Sequence, residues 1–176
     1  MDPASDSASG PVLLVVRHAV AFPEDPARWP DDGRRPLTSE GERVFHEAAR
    51  GLGRFTKAPD VVLASPFVRA WRTAEILEEE AGWPAPRPTE ALRKGATAEE
   101  AVAAVRAQDG IAVVGLVGHE PNLTQLASTL LVGKASAVQI ELDKGGALAI
   151  SGRAGDPAQK TLWWLVTRAG LRSLGR

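Results

Sequence analysis

Three short runs of consecutive apolar residues, 12–16, 61–64 and 111–117, stand out along the first two thirds of the chain. Unbroken apolar runs of this length, without the alternation of a half-exposed strand, suit strands buried on both faces, as in a parallel sheet. Between and after them apolar residues recur at helical spacing. Pro36-Leu37-Thr38-Ser39-Glu40 opens an amphipathic segment to about Phe55, with Thr38 or Ser39 as the cap and Ser39 with Glu42 fitting a capping box. Ser65-Pro66 reads as a cap followed by proline at the first helical position, leading a helix to about Glu80. Gly118-His119-Glu120-Pro121 repeats that device ahead of a stripe of Leu123, Leu126, Ala127, Leu130 and Leu131. Thr97 and Glu100 form a capping box for a helix carrying Ala98, Ala101, Val102 and Val105 on one face.

From Ala135 the period changes from helical to alternating. Val138, Ile140 and Leu142 alternate with polar residues, Asp143-Lys144-Gly145-Gly146 turns, 147–151 returns, and 161–168 forms a last strand. Strands alternating with helices, then antiparallel pairs, predict an α/β fold: a three-layer α/β/α sandwich with a mostly parallel central sheet. Residues 1–10 carry two aspartates, no Lys or Arg and no long apolar stretch, so they read as a disordered lead-in rather than a signal peptide. Residues 11–176 then form a single domain, a size one core can support.

Composition narrows the classes of function. With 21 basic and 22 acidic residues the net charge is -1, so no global field draws the chain onto nucleic acid or an anionic membrane. Any anion site has to be built locally. The absence of cysteine excludes disulfides, thiolate metal sites and a cysteine nucleophile together. No apolar run approaches the roughly 20 residues of a membrane span. The expectation is a soluble, cytoplasmic protein.

The candidate chemistry lies at the ends of the apolar runs. Ligands of open parallel sheets bind beyond the carboxyl ends of the strands, and Arg17-His18, Arg69 and His119 each follow one of the three runs. Residues far apart in sequence thus converge on one crevice, where two helix starts favour an anion. A guanidinium such as that of Arg69 can grip phosphate oxygens in a bidentate manner. Imidazole, with an ordinary pKa of about 6.5, offers a nucleophilic lone pair at neutral pH without a separate base. Phosphoryl transfer through a phosphohistidine follows, with no metal or cofactor required.

These residues also carry a resemblance. Leu14-Val15-Val16-Arg17-His18-Ala19, Arg35-Pro36-Leu37-Thr38, Ala64-Ser65-Pro66-Phe67-Val68-Arg69-Ala70-Trp71-Arg72-Thr73-Ala74 and Val117-Gly118-His119-Glu120 resemble, in order, the motifs of the histidine phosphatase superfamily. The short chain, Arg-Pro-Leu-Thr and Ser-Pro-Phe-x-Arg-Ala are similar to its SixA-like phosphohistidine phosphatase branch. The resemblance implies a phosphoglycerate mutase-like fold and a phosphatase with His18 as nucleophile. It further implies that Arg17, Arg69 and His119 bind phosphate, with Arg35 in support. Ala19 stands where the wider superfamily often has glycine, and Arg72 where glutamine is common, so Arg72 belongs either to the pocket rim or to solvent.

A general acid has two candidates. Glu90 lies between Arg69 and His119 in sequence, where related mutases and acid phosphatases carry theirs, and Glu120 adjoins His119. A phosphohistidine substrate eases the need for one, because its imidazole leaving group protonates near neutrality. The expected partner is a phosphorylated substrate, a phosphohistidine protein first, with no nucleic acid and no membrane. Oligomeric state is left open. The alternatives are a phosphatase for small phosphoesters or a mutase, and, in a different class, a non-catalytic phosphate-binding module. Other motifs fail: Gly133-Lys134-Ala135-Ser136 lacks the upstream glycine of a P-loop, and His119-Glu120 lacks the second histidine of a zinc protease. His46 reads as a surface or half-buried helical residue, Trp29 as loop packing or a stacking platform, and Trp163 and Trp164 as core and rim of the last strand.

Overall fold

The computed structural model describes residues 12–151 and 160–176, so the lead-in expected at 1–10 lies outside the described residues. In chain order the elements are β1 (Val12–Arg17), α1 (Ser39–Phe55), β2 (Val61–Ala64), α2 (Val68–Ala81), β3 (Arg87–Pro88), α3 (Ala98–Arg106), β4 (Val113–Gly118), α4 (Asn122–Val132), β5 (Ala147–Ser151), β6 (Thr161–Val166) and α5 (Arg168–Gly175). The strands form one six-stranded sheet in the order β3-β2-β4-β1-β5-β6. Pairing is parallel from β3 to β1 and antiparallel for β1 with β5 and β5 with β6.

Successive strand residues face opposite sides, and two cores result. Leu14, Val16, Val62 and Ala64 pack with Phe45 and Leu52 of α1, Leu77 of α2 and Leu171 of α5. Leu13, Val15, Val61 and Leu63 pack with Val102 of α3 and Leu123 and Leu126 of α4. The expected three layers are therefore present, with α1, α2 and α5 on one face and α3 and α4 on the other. Each fully buried Leu or Val contributes about 1.5–3 kcal/mol of hydrophobic stabilisation.

Several local expectations are corrected. Of the two cap candidates Thr38 caps α1, its hydroxyl accepting the Gly41 N–H at 2.9 Å, so Ser39 is the first helical residue and the expected Ser39–Glu42 capping box does not form. Both helices that follow a strand end start later than Ser65-Pro66 and His119-Glu120 suggest. The residues flanking their first turns are Phe67 and Pro121, and neither helix has a side-chain cap. The strand expected at 111–117 begins at Val113, whose N–H donates to Asp60 Oδ2 at 2.8 Å. Residues 138–142 are not a strand. β1 already pairs with β4 and β5, and β5 with β1 and β6, so the alternating stretch before the turn finds no free edge beside its sequence neighbour. The last strand stops at Val166 because Thr167 caps α5, accepting the Gly170 N–H at 3.2 Å. Since β6 is the sheet edge, neither tryptophan is fully buried: Trp164 is half-buried against the core, its ring 5.1 Å from that of Phe55, and Trp163 is 42% exposed.

The α3 capping box forms as expected, with Thr97 Oγ1 accepting the Glu100 N–H and Glu100 Oε2 accepting the Thr97 N–H. The short strand β3 and the helix α5 have no counterpart in the sequence reading. α5 is held by close backbone approach: a Cβ on Gly51 would lie 1.8 Å from Leu171 O, and one on Gly175 2.2 Å from Glu47 O. Among the described residues no helix is long and apolar enough to cross a membrane.

Candidate active site

β1 and β4 end side by side, Arg17 opposite Gly118, and the His18 N–H continues the ladder by donating to Gly118 O at 3.0 Å. Parallel pairing thus brings His18 and His119 together across 101 residues of sequence, with ring centroids 5.0 Å apart. β2 lies on the other side of β4, and the Ser65 N–H donates to Val117 O at 2.9 Å, which places the start of α2 against the same end. Arg69 in the first turn of α2 is 1% exposed, among the largest fully buried side chains of the protein. Thr73, one turn on, accepts the Ala19 N–H at 3.0 Å and donates to Arg69 O at 2.7 Å, tying α2 to the residue after His18.

Arg17, His18, Arg35, Arg69, His119 and Glu120 line one cleft of about 180 Å³. Five of the six lie at strand or helix ends, and Arg35 comes from the loop between β1 and α1. His18 and His119 are 6% and 2% exposed. His18 Nδ1 lies 2.7 Å from Ala19 O. A carbonyl only accepts, so Nδ1 carries the proton and the lone pair is on Nε2. Burial, then the charges of Arg69, Arg17 and Lys144, lower the His18 pKa to about 3 despite the opposing effect of the Ala19 bond. Burial, then His18 and Arg69, lower that of His119 to about 2. Both rings are neutral at physiological pH.

Ser65 is the residue whose role the sequence reading assigns differently. Its hydroxyl accepts the Phe67 N–H at 3.3 Å and lies 2.9 Å from His119 Nε2. Donation from Oγ to Nε2 satisfies all three groups and leaves the His119 proton on Nδ1. Among the described residues that buried nitrogen has no partner, nor have the buried Arg17 Nε and Arg69 Nε. Buried donors without partners are rare in native proteins, because each costs about 1–3 kcal/mol of desolvation. Here three of them belong to residues lining the same cleft as His18.

Other guanidinium nitrogens of these arginines are held in place. Arg17 Nη1 donates to Leu142 O at 2.8 Å. Arg69 Nη1 and Nη2 donate to Asp32 O at 2.7 Å and Asp32 Oδ2 at 3.0 Å. Arg35, 5% exposed, donates from Nε to Asp32 Oδ1 at 2.7 Å and from Nη1 to Phe22 O. Burial alone would raise the Asp32 pKa, but the Arg35 hydrogen bond and the charges of Arg69, Arg35 and Lys94 bring it down to about 2. Asp32, absent from the sequence reading, is thus the carboxylate that orients two arginines of the cleft. The signal for it is its place three residues before Arg35 in the loop between β1 and α1.

The two carboxyl candidates part company. Glu120 lines the cleft, takes a hydrogen bond from Thr124 Oγ1 on one oxygen, and has its Oε1 buried without a partner among the described residues. Burial raises its pKa. Glu90 stands outside the cleft lining, in the 3-10 turn Glu90–Leu92, with its side chain 75% exposed and 3.8 Å from Arg93. Arg72 is not at the rim either: it pairs with Glu42, Glu75 and Glu79 on the outer face of α2. His46 is half-buried, with Nδ1 2.8 Å from Glu80. Trp29 packs in the loop, its ring 6.0 Å from Phe22 with the Arg28 guanidinium over both. Among the described residues no group of three or more His, Asp or Glu side chains is placed to hold a metal.

Comparison with known proteins agrees with this geometry. The family model of the histidine phosphatase superfamily (branch 1) matches residues 13–95. An uncharacterised protein of Picosynechococcus is 30% identical over 140 residues, covering 78% of this chain and 83% of that protein. Among solved structures, the protein histidine phosphatase SixA complexed with tungstate superposes with a TM-score of 0.77 at 22% identity, over 91% of this chain and 99% of that one. The mycobacterial glucosyl-3-phosphoglycerate phosphatase superposes with a TM-score of 0.67 at 15% identity, over 90% and 98%. The fold is the phosphoglycerate mutase-like one these structures share. With its sheet order, its paired histidines and these matches in agreement, the chain belongs to the histidine phosphatase superfamily.

Proposed function

We propose that this single-domain phosphatase, residues 11–176, hydrolyses protein phosphohistidine through a covalent phosphohistidine on His18. The observation that carries the reading is the set of three unpartnered buried donors, Arg17 Nε, Arg69 Nε and His119 Nδ1, on residues sharing a cleft with the His18 Nε2 lone pair. A transferring phosphoryl group has three non-bridging oxygens, and its catalysis is almost wholly positioning and charge stabilisation.

In the first step His18 Nε2 forms a bond to phosphorus while the bond from phosphorus to the leaving group breaks. In the second, water attacks phosphorus, the P–Nε2 bond breaks, and inorganic phosphate leaves with His18 restored. An ester substrate needs a proton for its departing oxygen, and Glu120, with its raised pKa and its place in the cleft, is better situated to supply it than Glu90. A phosphohistidine substrate gives up an imidazole instead, which needs less help. The cleft, about 180 Å³, is smaller than the roughly 300–1,000 Å³ of ordinary small-molecule sites. It suits a phosphoryl group whose carrier remains outside, as a protein side chain's does. Tungstate, the oxyanion in the SixA complex, is a group of the same shape.

The test compares kcat/KM on a phosphohistidine peptide, p-nitrophenyl phosphate and a sugar phosphate, with His18→Ala as control. The phosphohistidine peptide should be the best substrate, and His18→Ala should lose turnover on all three. Glu120→Gln should slow the esters more than the phosphohistidine peptide. Rapid acid quench should fail to preserve the phosphoenzyme and alkali should retain it. Wild-type turnover by His18→Ala would overturn the mechanism, and preference for the sugar phosphate would overturn the substrate class.

A further inference from the structure

Five cations line the cleft, and they differ in what holds them. Arg35 and Lys94 pair with Glu24 and Asp32, and Arg69 pairs with Asp32. Arg17 and Lys144 have no carboxylate within ion-pair distance among the described residues. Arg17 is held by a carbonyl, whereas the Lys144 ammonium has no hydrogen bond or ion pair among the described residues.

The backbone of Lys144, by contrast, is fixed against the nucleophile's strand. The Gly145 N–H lies 3.1 Å from Arg17 O and 3.2 Å from His18 O, and the Arg17 N–H donates to Gly146 O at 3.2 Å. Gly145 has φ +79°, a left-handed conformation that glycine adopts without steric cost. Asp143 closes the turn, its carbonyl accepting the Gly146 N–H and its carboxylate the Arg168 N–H. A four-residue turn bonded to both Arg17 and His18 therefore delivers a rim ammonium over the cleft.

We propose that Lys144 is a further catalytic residue, binding the transferring phosphoryl group from the rim while Arg17, Arg69 and His119 bind it from within. The proposal rests on the reading of the cleft as a phosphoryl site. A phosphoryl group carries close to two negative charges at neutral pH, and the two cations of the cleft without a carboxylate partner supply two positive ones. Burial and the charges of Arg17, Arg35 and Arg69 lower the Lys144 pKa, with Glu24 opposing, as expected of a cation crowded by other cations.

The experiment uses Lys144→Met and Lys144→Arg in the full chain. Removing a charged hydrogen-bond donor to phosphate should lower kcat/KM on the order of tenfold or more. The factor should be the same on p-nitrophenyl phosphate and on the phosphohistidine peptide, since the phosphoryl group is common to both. Orthovanadate inhibition should weaken by a similar factor, and Lys144→Arg should recover most of each loss. Unchanged vanadate inhibition in Lys144→Met would overturn the proposal. So would a loss confined to substrates whose leaving group bears a second anion. Should the wild type turn over no substrate, the catalytic reading fails on its own. Calorimetric affinity for inorganic phosphate in wild type and Lys144→Met then still decides whether Lys144 binds the group.

Discussion

Lowering the pH from 7 to 5 should remove about 4 kcal/mol of folding stability through His18 and His119 alone. Both are neutral in the folded protein, with pKa values near 3 and 2, and both return to about 6.5 when the chain unfolds. The sign follows from proton counting. Between the folded and unfolded pKa values the unfolded state binds more protons, so stability is complete above about 6.5 and falls as the pH drops below it. At pH 5 an unfolded histidine is almost fully protonated and the folded ones are not. Each site then costs about 1.9 kcal/mol relative to pH 7, whatever the depth of its folded pKa below 4. Against a typical total of about 5–15 kcal/mol this is a large share. Urea unfolding at the two pH values, in phosphate-free buffer, measures it. The doubly substituted His18→Gln, His119→Gln chain isolates it from every other titration, including that of Glu120, whose raised pKa acts with the opposite sign. The double variant should lose about 4 kcal/mol less than the wild type over the same interval. An equal loss in both chains would refute the claim that these rings are held neutral by burial.

Two further outcomes follow from single contacts. Ser65→Ala removes the hydroxyl that orients His119 and should lower kcat/KM about tenfold, the worth of one buried hydrogen bond to a reacting site. Nitrogen-15 chemical shifts of His119 should show loss of a fixed Nδ1–H tautomer, and an unaltered tautomer would assign the fixing to something else. Gly51→Ala drives a Cβ to 1.8 Å from Leu171 O and must displace α5. Overpacking of this kind costs about 1–3 kcal/mol or more, against about 1 kcal/mol of gained helix propensity. A net loss of about 2 kcal/mol is expected in urea unfolding, and a variant more stable than wild type would contradict the described packing of α5 on α1.

What could be read from the chain, and what could not, divides along the range of the interactions. The buried runs at β1, β2 and β4 and the helical stripes of α1 to α4 are local patterns, so hydrophobic period and helix-start residues locate them to within about two residues. The 138–142 stretch has an equally good local pattern and fails, because strand formation needs a free neighbouring edge and β5 has none. α5 is missed for the converse reason: it has little apolar surface and is held by glycine contacts with a helix more than a hundred residues earlier. Ser65 carries a strong helix-start signal, yet its hydroxyl serves His119, which only the pairing of β2 with β4 brings within reach.

The candidate site divides in the same way. Arg17, His18, Arg69 and His119 are legible because each follows an apolar run, and the geometry of a parallel sheet obliges all such ends to meet. That Asp32 orients Arg35 and Arg69, that Lys144 shares the cleft with His18 and that Glu120 lines it while Glu90 does not are decisions of tertiary structure. Those side chains sit in loops and turns, where sequence sets no period. Their positions depend on hydrogen bonds to distant backbone, such as Gly145 to Arg17 and His18, and these come into existence when the sheet closes. The sequence by itself determined the four groups and their common strand-end address. The tertiary structure alone decided their protonation, because burial and neighbouring charge, which set the pKa values of His18 and His119, belong to the folded chain.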